Sequence, residues 1–241
     1  MRIRGLAARD AGEMKSFPLT ISIIIPTYNE EEMIGGLLEG LKELAADELI
    51  VADGGSTDRT VEIAERYARV LRAPRGRGAQ MNAGAHASSG DLLLFLHADA
   101  RLGPGALEAA REAMSNPAVL GGNFDIRYEG GDWVASIFTW ANRVRRRLGI
   151  FYGDSGIFCR RTVFEALGGY QPWPIFEDYD MARRLWRAGP LALLEEPIWI
   201  SDRRWRKSGV FPTIWSWVWV HGLYAAGVSP HKLARFYRHV R

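Results

Sequence analysis

The feature that most constrains this chain is a series of short apolar segments, each ending in a polar, turn-forming cluster. Ile21-Ser-Ile-Ile-Ile25 is β-branched and closes on Pro26. Glu48 to Ala52 closes on Asp53-Gly-Gly-Ser-Thr-Asp58, and Asp91 to Leu96 closes on His97-Ala-Asp-Ala100. Short continuous apolar runs are what strands buried on both faces require. Between them lie helical patterns. Met33, Ile34, Leu37, Leu38, Leu41 and Leu44 share one face, and Asn29 is placed to cap that helix with Glu30, Glu31 and Glu32 in its first turn. A second helix carries Val61, Ile63, Ala64 and Tyr67, Val70-Leu71 is a brief strand, and Ala79 to Ala87 is helical. Pro104 stands where a helix N1 proline would. This alternation with short connections predicts an α/β fold with a mostly parallel central sheet flanked by helices.

After Pro117 the pattern changes. A strand is expected from Val119 to Arg127, an amphipathic aromatic stretch from Trp133 to Phe151, and a short strand at Ile157. Helices follow around Thr162 to Leu167 and Asp178 to Ala188. No internal repeat or linker is evident. The expected organisation is a leader over 1–18, a main domain over 19–208 and a C-terminal apolar, amphipathic helical segment over 209–241.

At 241 residues the chain is long enough to bury a core without staples. The lone Cys159 has no partner for an internal disulfide, which suits a reducing cytoplasm, and its apolar neighbours mark it as a small buried hydrophobe. The basic, polar N-terminus has no signal-like apolar core. Net charge is only +3, but Arg143, Arg145, Arg146 and Arg147 form one cluster and Arg203, Arg204, Arg206 and Lys207 another. Such local clusters suit phosphate or an anionic membrane surface, not a nucleic-acid track. The apolar stretch from Val210 to Val228 is interrupted by Pro212, Ser216, His221 and two glycines. Its rings (Trp215, Trp217, Trp219, Tyr224) suit the plane of a membrane interface, or packing on the protein or on a second copy in a homodimer.

Open α/β sheets bind ligands beyond the carboxyl ends of their strands. Three polar loops fall at such ends here. A carboxylate just past a buried strand suits a hydrated divalent ion that grips phosphates. Taken singly, each loop is equally well explained by turn and cap chemistry. Taken together and in order, Pro26-Thr-Tyr-Asn-Glu30, Asp53-Gly-Gly-Ser-Thr-Asp58 and His97-Ala-Asp99 resemble the family 2 glycosyltransferases of the GT-A fold, over roughly Thr20 to Trp205.

The resemblance implies an inverting, nucleotide-diphosphate-sugar-dependent transferase acting on an acceptor hydroxyl. Pro26, Thr27, Tyr28 and Glu30 would then line the nucleoside pocket, with Glu30 on the ribose, Asp53 towards the base and Arg77 near the nucleotide. Asp99 would hold Mg²⁺ or Mn²⁺. Two departures from the family pattern stand out. Gly54 replaces the second of two adjacent aspartates, which leaves the nucleoside open, although a UDP-sugar is favoured. His97 replaces the first aspartate of the metal motif and is a metal ligand, a donor behind the ligand, or a packed histidine. Asp178, in Phe176-Glu-Asp-Tyr-Asp180, resembles the family's acceptor base, with Glu177 and Asp180 as fallbacks; without the resemblance, an acidic helix start explains them.

Arg203-Arg204-Trp205 resembles part of a Gln/Arg-x-x-Arg-Trp motif of processive synthases. Ser201 stands in its first position, which favours a non-processive enzyme, and Arg204 would still clamp the diphosphate. Asp154 and Trp205 are acceptor-side candidates. The aromatic segments point to a lipid-linked acceptor and peripheral membrane association at the inner face, against an apolar lid or dimer face. Rival functions are a nucleotidyltransferase, whose Gly-rich N-terminal loop is missing, and a catalytically degenerate nucleotide-sugar-binding or scaffolding module. Dinucleotide and P-loop fingerprints are absent.

Overall fold

A computed structural model describes residues 19–130, 132–201 and 209–237. Its centre is an eight-stranded sheet in the order β3-β2-β1-β4-β7-β6-β8-β5. The first half is β1 (Ile21–Thr27), β2 (Glu48–Asp53), β3 (Arg69–Arg72) and β4 (Leu92–Phe95), all parallel. The second half is mixed. β7 (Ile157–Arg160) runs antiparallel to β4 and to β6 (Gly121–Tyr128). β8 (Leu191–Ile200) is parallel to β6, and β5 (Ala100–Leu102) is antiparallel to β8.

The period of two along each central strand divides the core in two. Ile21, Ile23 and Ile25 of β1 join Leu92, Leu94 and Leu96 on one face, and Ile24 joins Leu93 and Phe95 on the other. The first face is covered by α1 (Ile34–Glu43), α2 (Thr60–Ala64), α4 (Ala106–Ser115) and α5 (Trp133–Arg147). The second is covered by α3 (Arg77–Ala87), α6 (Arg161–Ala166) and α7 (Glu177–Ala188). Both faces are apolar because both are buried, as the unbroken isoleucine and leucine runs require.

The C-terminal residues form α8 (Val210–Ala225) and α9 (Pro230–Tyr237). A third cluster docks them: Val220 and Leu233 pack with Ile175 and Phe176, on the loop that leads into α7. Cys159 is fully buried in β7, and burial pushes its thiol up to about 12. Arg204 and Trp205 lie outside the described residues, as does the 1–18 segment.

Several expectations are corrected. Asn29 does not cap α1. It takes a left-handed φ of 54°, and α1 begins only at Ile34. Its amide donates to Ser56 Oγ at 2.9 Å and its side-chain oxygen accepts from Thr57 N at 2.9 Å, so the residue ties two loops together instead. Pro104 precedes α4 by two residues, because Gly105 turns left-handed between them. β5 and β8 were not foreseen. The basic cluster on α5 is drawn inward in part. Arg143 donates to both oxygens of buried Asp125, and Arg146 is itself buried and donates to Leu194 O.

Candidate active site

The carboxyl edge of the parallel strands is built by stitching loops to one another. Asp53, buried at the end of β2, accepts from the amides of Gly55 and Ser56 at 2.9 Å each, from the Ser56 hydroxyl, and from Thr27 Oγ1 at 3.3 Å. Glu30 N donates to Thr60 Oγ1 at 2.7 Å, and Glu31 N to Asp58 Oδ2 at 3.2 Å. The loops after β1 and β2 are therefore one rigid unit. Asp53 is expected from the resemblance to face a base; its carboxylate oxygens are committed to this loop.

Gln80 of α3 locks the same unit from behind. Its side-chain NH₂ donates to Thr27 O at 2.7 Å and Ala52 O at 2.8 Å, and its oxygen accepts from Gly76 N at 3.2 Å. Both of its donors are used inside the fold. A Cβ on Gly54 would meet that amide at 3.0 Å. Gly54 and Gln80 thus occupy one space: a side chain at 54 would have to displace the Gln80 amide that reaches in from α3. Sequence reasoning missed Gln80, since only the missing aspartate at 54 hinted at a substitute. It also missed Arg75, whose guanidinium stacks 3.8 Å over the Tyr28 ring at the mouth of this unit.

The second group of residues converges on Gly153. This glycine begins the 3-10 turn Gly153–Ser155 between α5 and β7. A Cβ there would lie 2.8 Å from His97 Nε2 and 3.2 Å from the Asp178 Cβ, so only glycine lets β4's end and α7's start approach so closely. Gly153 N donates to Asp178 Oδ2 at 2.9 Å, and Tyr179 N donates to Oδ1 at 2.7 Å, which orients the carboxylate. Asp154 is half-buried as a residue, but its Oδ1 is sealed from solvent without a hydrogen-bond partner. Burial first, then the Asp178 charge and the more distant Asp99, push its carboxyl up to about 6, against the pull of Arg145 and Arg77. Asp99, Asp154 and Asp178 therefore share one electrostatic field.

Glu177 is fully buried at the first turn of α7, with Arg77 Nε 2.6 Å from its Oε1. Burial raises its carboxyl, Arg77 lowers it, and Asp178 raises it. Arg77 thus joins the α3 side of the site to the carboxylate pair. α3 also steers the loop into α7: Asn82 donates to Tyr170 O at 2.9 Å and accepts from Tyr170 N at 2.8 Å. That loop ends in Phe176, which holds a left-handed φ of 63°. Its ring stacks on Tyr224 at 4.5 Å and meets His221 edge-on at 4.9 Å. His221 in turn bonds the Tyr152 hydroxyl at 2.8 Å and Trp217 O at 2.7 Å. A carbonyl only accepts, so Nδ1 carries the ring proton and Nε2 accepts from Tyr152.

Among the described residues, no three His, Cys, Asp or Glu side chains form a complete metal-ligand set. What the chain offers a cation is the Asp99 carboxylate, with Asp154 near enough to feel its charge; a diphosphate and water would have to complete the set. That partial set fits a magnesium-like ion held jointly with a phosphate ligand.

The same architecture is found in solved glycosyltransferases. The mannosyltransferase PcManGT from Pyrobaculum calidifontis, in complex with GDP-Man and Mn²⁺, superposes with a TM-score of 0.61 at 19% identity, covering 78% of this chain and 58% of that one. S. aureus TarS 1-349 in complex with UDP-GlcNAc gives 0.63 at 20% identity, with 77% and 59% covered. The GT-A fold expected from the motifs is therefore present. The profile of Glycosyl transferase family 2 matches residues 22–167, and the chain belongs to that family.

Among curated relatives, the beta-monoglucosyldiacylglycerol synthase of Synechocystis sp. is 27% identical over 243 residues, 83% of this chain and 50% of the relative. The undecaprenyl-phosphate 4-deoxy-4-formamido-L-arabinose transferase of Pseudomonas paraeruginosa is 31% identical over 175 residues, 64% of this chain and 51% of the relative. The chain thus spans about half the length of these relatives.

Proposed function

We propose that the protein is an inverting, non-processive glycosyltransferase that moves a sugar from a nucleotide-diphosphate donor, a UDP-sugar in the first instance, to a hydroxyl on a lipid acceptor at the cytoplasmic face of a membrane. The observation that carries this is the convergence at Gly153: one glycine lies against both the His97 ring of the metal-motif loop after β4 and the Asp178 side chain at the start of α7.

In this mechanism the stitched loops after β1 and β2, with Tyr28, Arg75 and Glu30 at their mouth, hold the nucleoside. Asp99, with Asp154 and His97 as its neighbours in the site, would hold Mg²⁺ or Mn²⁺, which would neutralise charge on the leaving group. Asp178 accepts the proton of the acceptor hydroxyl as that oxygen attacks the anomeric carbon from the face opposite the diphosphate. The Gly153 and Tyr179 amides hold Asp178 in place for that transfer. Glu177, neutralised by Arg77, fixes the start of α7 and keeps a second free negative charge away from the base.

A lipid-borne hydroxyl is supported by the name of one relative, a beta-monoglucosyldiacylglycerol synthase, and by the aromatic faces of α5 and α8. The test is a pair of variants. Asp178→Asn should lower turnover by roughly 10²- to 10⁴-fold with donor binding intact, the range general-base removal gives. Asp99→Ala should instead abolish the Mn²⁺-dependent part of donor binding, read as a thermal shift. Near-normal turnover by Asp178→Asn would sink the base assignment.

A further inference from the structure

α5 and α8 touch where the Phe138 ring meets Trp217 edge-on at 5.7 Å. Each turns one face inward. From α5, Val134, Ala135 and Arg146 are buried; from α8, Val220 is buried and Tyr224 stacks on the loop before α7. The outward faces are apolar and uncovered. On α5, Trp133, Ile137, Trp140 and Leu148 recur at helical spacing, and Trp133, Trp140 and Leu148 are 73%, 66% and 67% exposed. On α8, Trp215 and Trp219 are 70% and 56% exposed. Isolated surface hydrophobes need no explanation, but stripes of large side chains on two adjacent helices mark a contact surface.

Three observations identify what covers it. Four of the six side chains are tryptophans, the residue enriched where bilayer meets water. Charge along the sequence is concentrated in the segments that contain these helices. Residues 133–151 and 203–241 contain 12 of the chain's 31 Lys and Arg and no Asp or Glu, which leaves 19 basic against 28 acidic residues elsewhere, a net −9. Arg147 on α5 and Lys232 and Arg235 on α9 are exposed, while Arg143 is held by Asp125. A second copy would set like charge against like charge, whereas an anionic bilayer offers the opposite sign. Finally, no helix of the described residues is long and apolar enough to cross a membrane, so these helices are suited to lie in its surface.

We propose that the outward faces of α5 and α8 form a docking surface for an anionic membrane, with the exposed tryptophans at headgroup depth. The proposal rests on the lipid-acceptor reading above for its purpose, though its observations are independent of it. Because α8 also packs on the loop before Glu177 and Asp178, docking would present the bilayer beside the site.

The full chain is sedimented with vesicles of phosphatidylcholine alone and of an equal mixture with phosphatidylglycerol. Binding is expected to the mixed vesicles, weaker by about tenfold or more on phosphatidylcholine or in high salt. The double variants Trp133→Ser with Trp140→Ser, and Trp215→Ser with Trp219→Ser, should each lose about tenfold or more in vesicle affinity. Their melting temperatures and their thermal shifts with UDP and Mn²⁺ should stay at the wild-type values. Failure of the wild type to bind mixed vesicles overturns the proposal. So does a dimer broken by the same substitutions in the absence of vesicle binding, which would make a second copy the occupant. Vesicle binding without any UDP and Mn²⁺ shift upholds this surface and overturns the UDP-sugar donor reading instead.

Discussion

At the scale of single residues, the most informative side chain is Asp154. Its carboxyl keeps a proton up to about pH 6 in the fold but gives it up near 3.8 when unfolded. The folded state is therefore favoured below about pH 4, and that contribution is lost as pH rises through about 6. At about 1.4 kcal/mol per pH unit, ionised Asp154 costs the free protein on the order of 2–3 kcal/mol at neutral pH. Asp154→Asn should stabilise the ligand-free protein at neutral pH by an amount of that order, and by almost nothing near pH 4. The same variant should lose the extra stabilisation that UDP with Mn²⁺ gives the wild type. Thermal melts across pH, with and without UDP and Mn²⁺, check both halves. A destabilised variant at neutral pH would mean that the carboxylate is satisfied within the fold and is not poised for a ligand. Gly153 makes the complementary point. Its role is invisible in a sequence, because a turn glycine before a strand has many explanations and only the nearness of His97 and Asp178 selects one.

At the scale of elements, the strain at Phe176 sits immediately before Glu177 and Asp178. A left-handed non-glycine residue costs about 1–2 kcal/mol, and a stacked ring pair returns about 0.5–1.5 kcal/mol. The two are close enough that the Tyr224 ring decides whether the loop holds its shape. Tyr224→Ala should lower kcat by about tenfold while leaving donor affinity unchanged, since the nucleoside loops are braced independently by Gln80. Tyr224→Phe should restore kcat. Equal losses in kcat and donor affinity would show a general loosening instead.

What the sequence made legible follows the same physics. β1, β2 and β4 were readable because strands buried on both faces need unbroken apolar runs. β8 was not, because Glu195-Glu196-Pro197 interrupts it, and it keeps its pairing with β6 only through an irregular register around Asn123 and Asp125. β5 has three residues, too few for any period. The motif carboxylates could be ordered from resemblance, but the Gln80 brace joins residues 28 and 53 positions apart and the α8 clamp residues 48 apart, and no local pattern carries such pairings.

For the whole molecule, the parts fall into a sequence of supports. The parallel half of the sheet fixes the loops after β1 and β2, the mixed half carries Gly153 to the His97 loop, and α8 closes behind the loop into Asp178 while facing outward with its tryptophans. The central claim is that this arrangement transfers sugar to a hydroxyl through Asp178. It is tested most directly by release of nucleoside diphosphate from a panel of UDP- and GDP-sugars with Mn²⁺, comparing diacylglycerol with polyprenyl phosphate as acceptor, in the wild type and in Asp178→Asn. A hydroxyl needs a base, whereas a phosphate oxygen is already anionic. The account predicts that the wild type turns over one donor with diacylglycerol and that Asp178→Asn falls by roughly 10²-fold or more on that acceptor. Turnover confined to polyprenyl phosphate and unaffected by Asp178→Asn would contradict it.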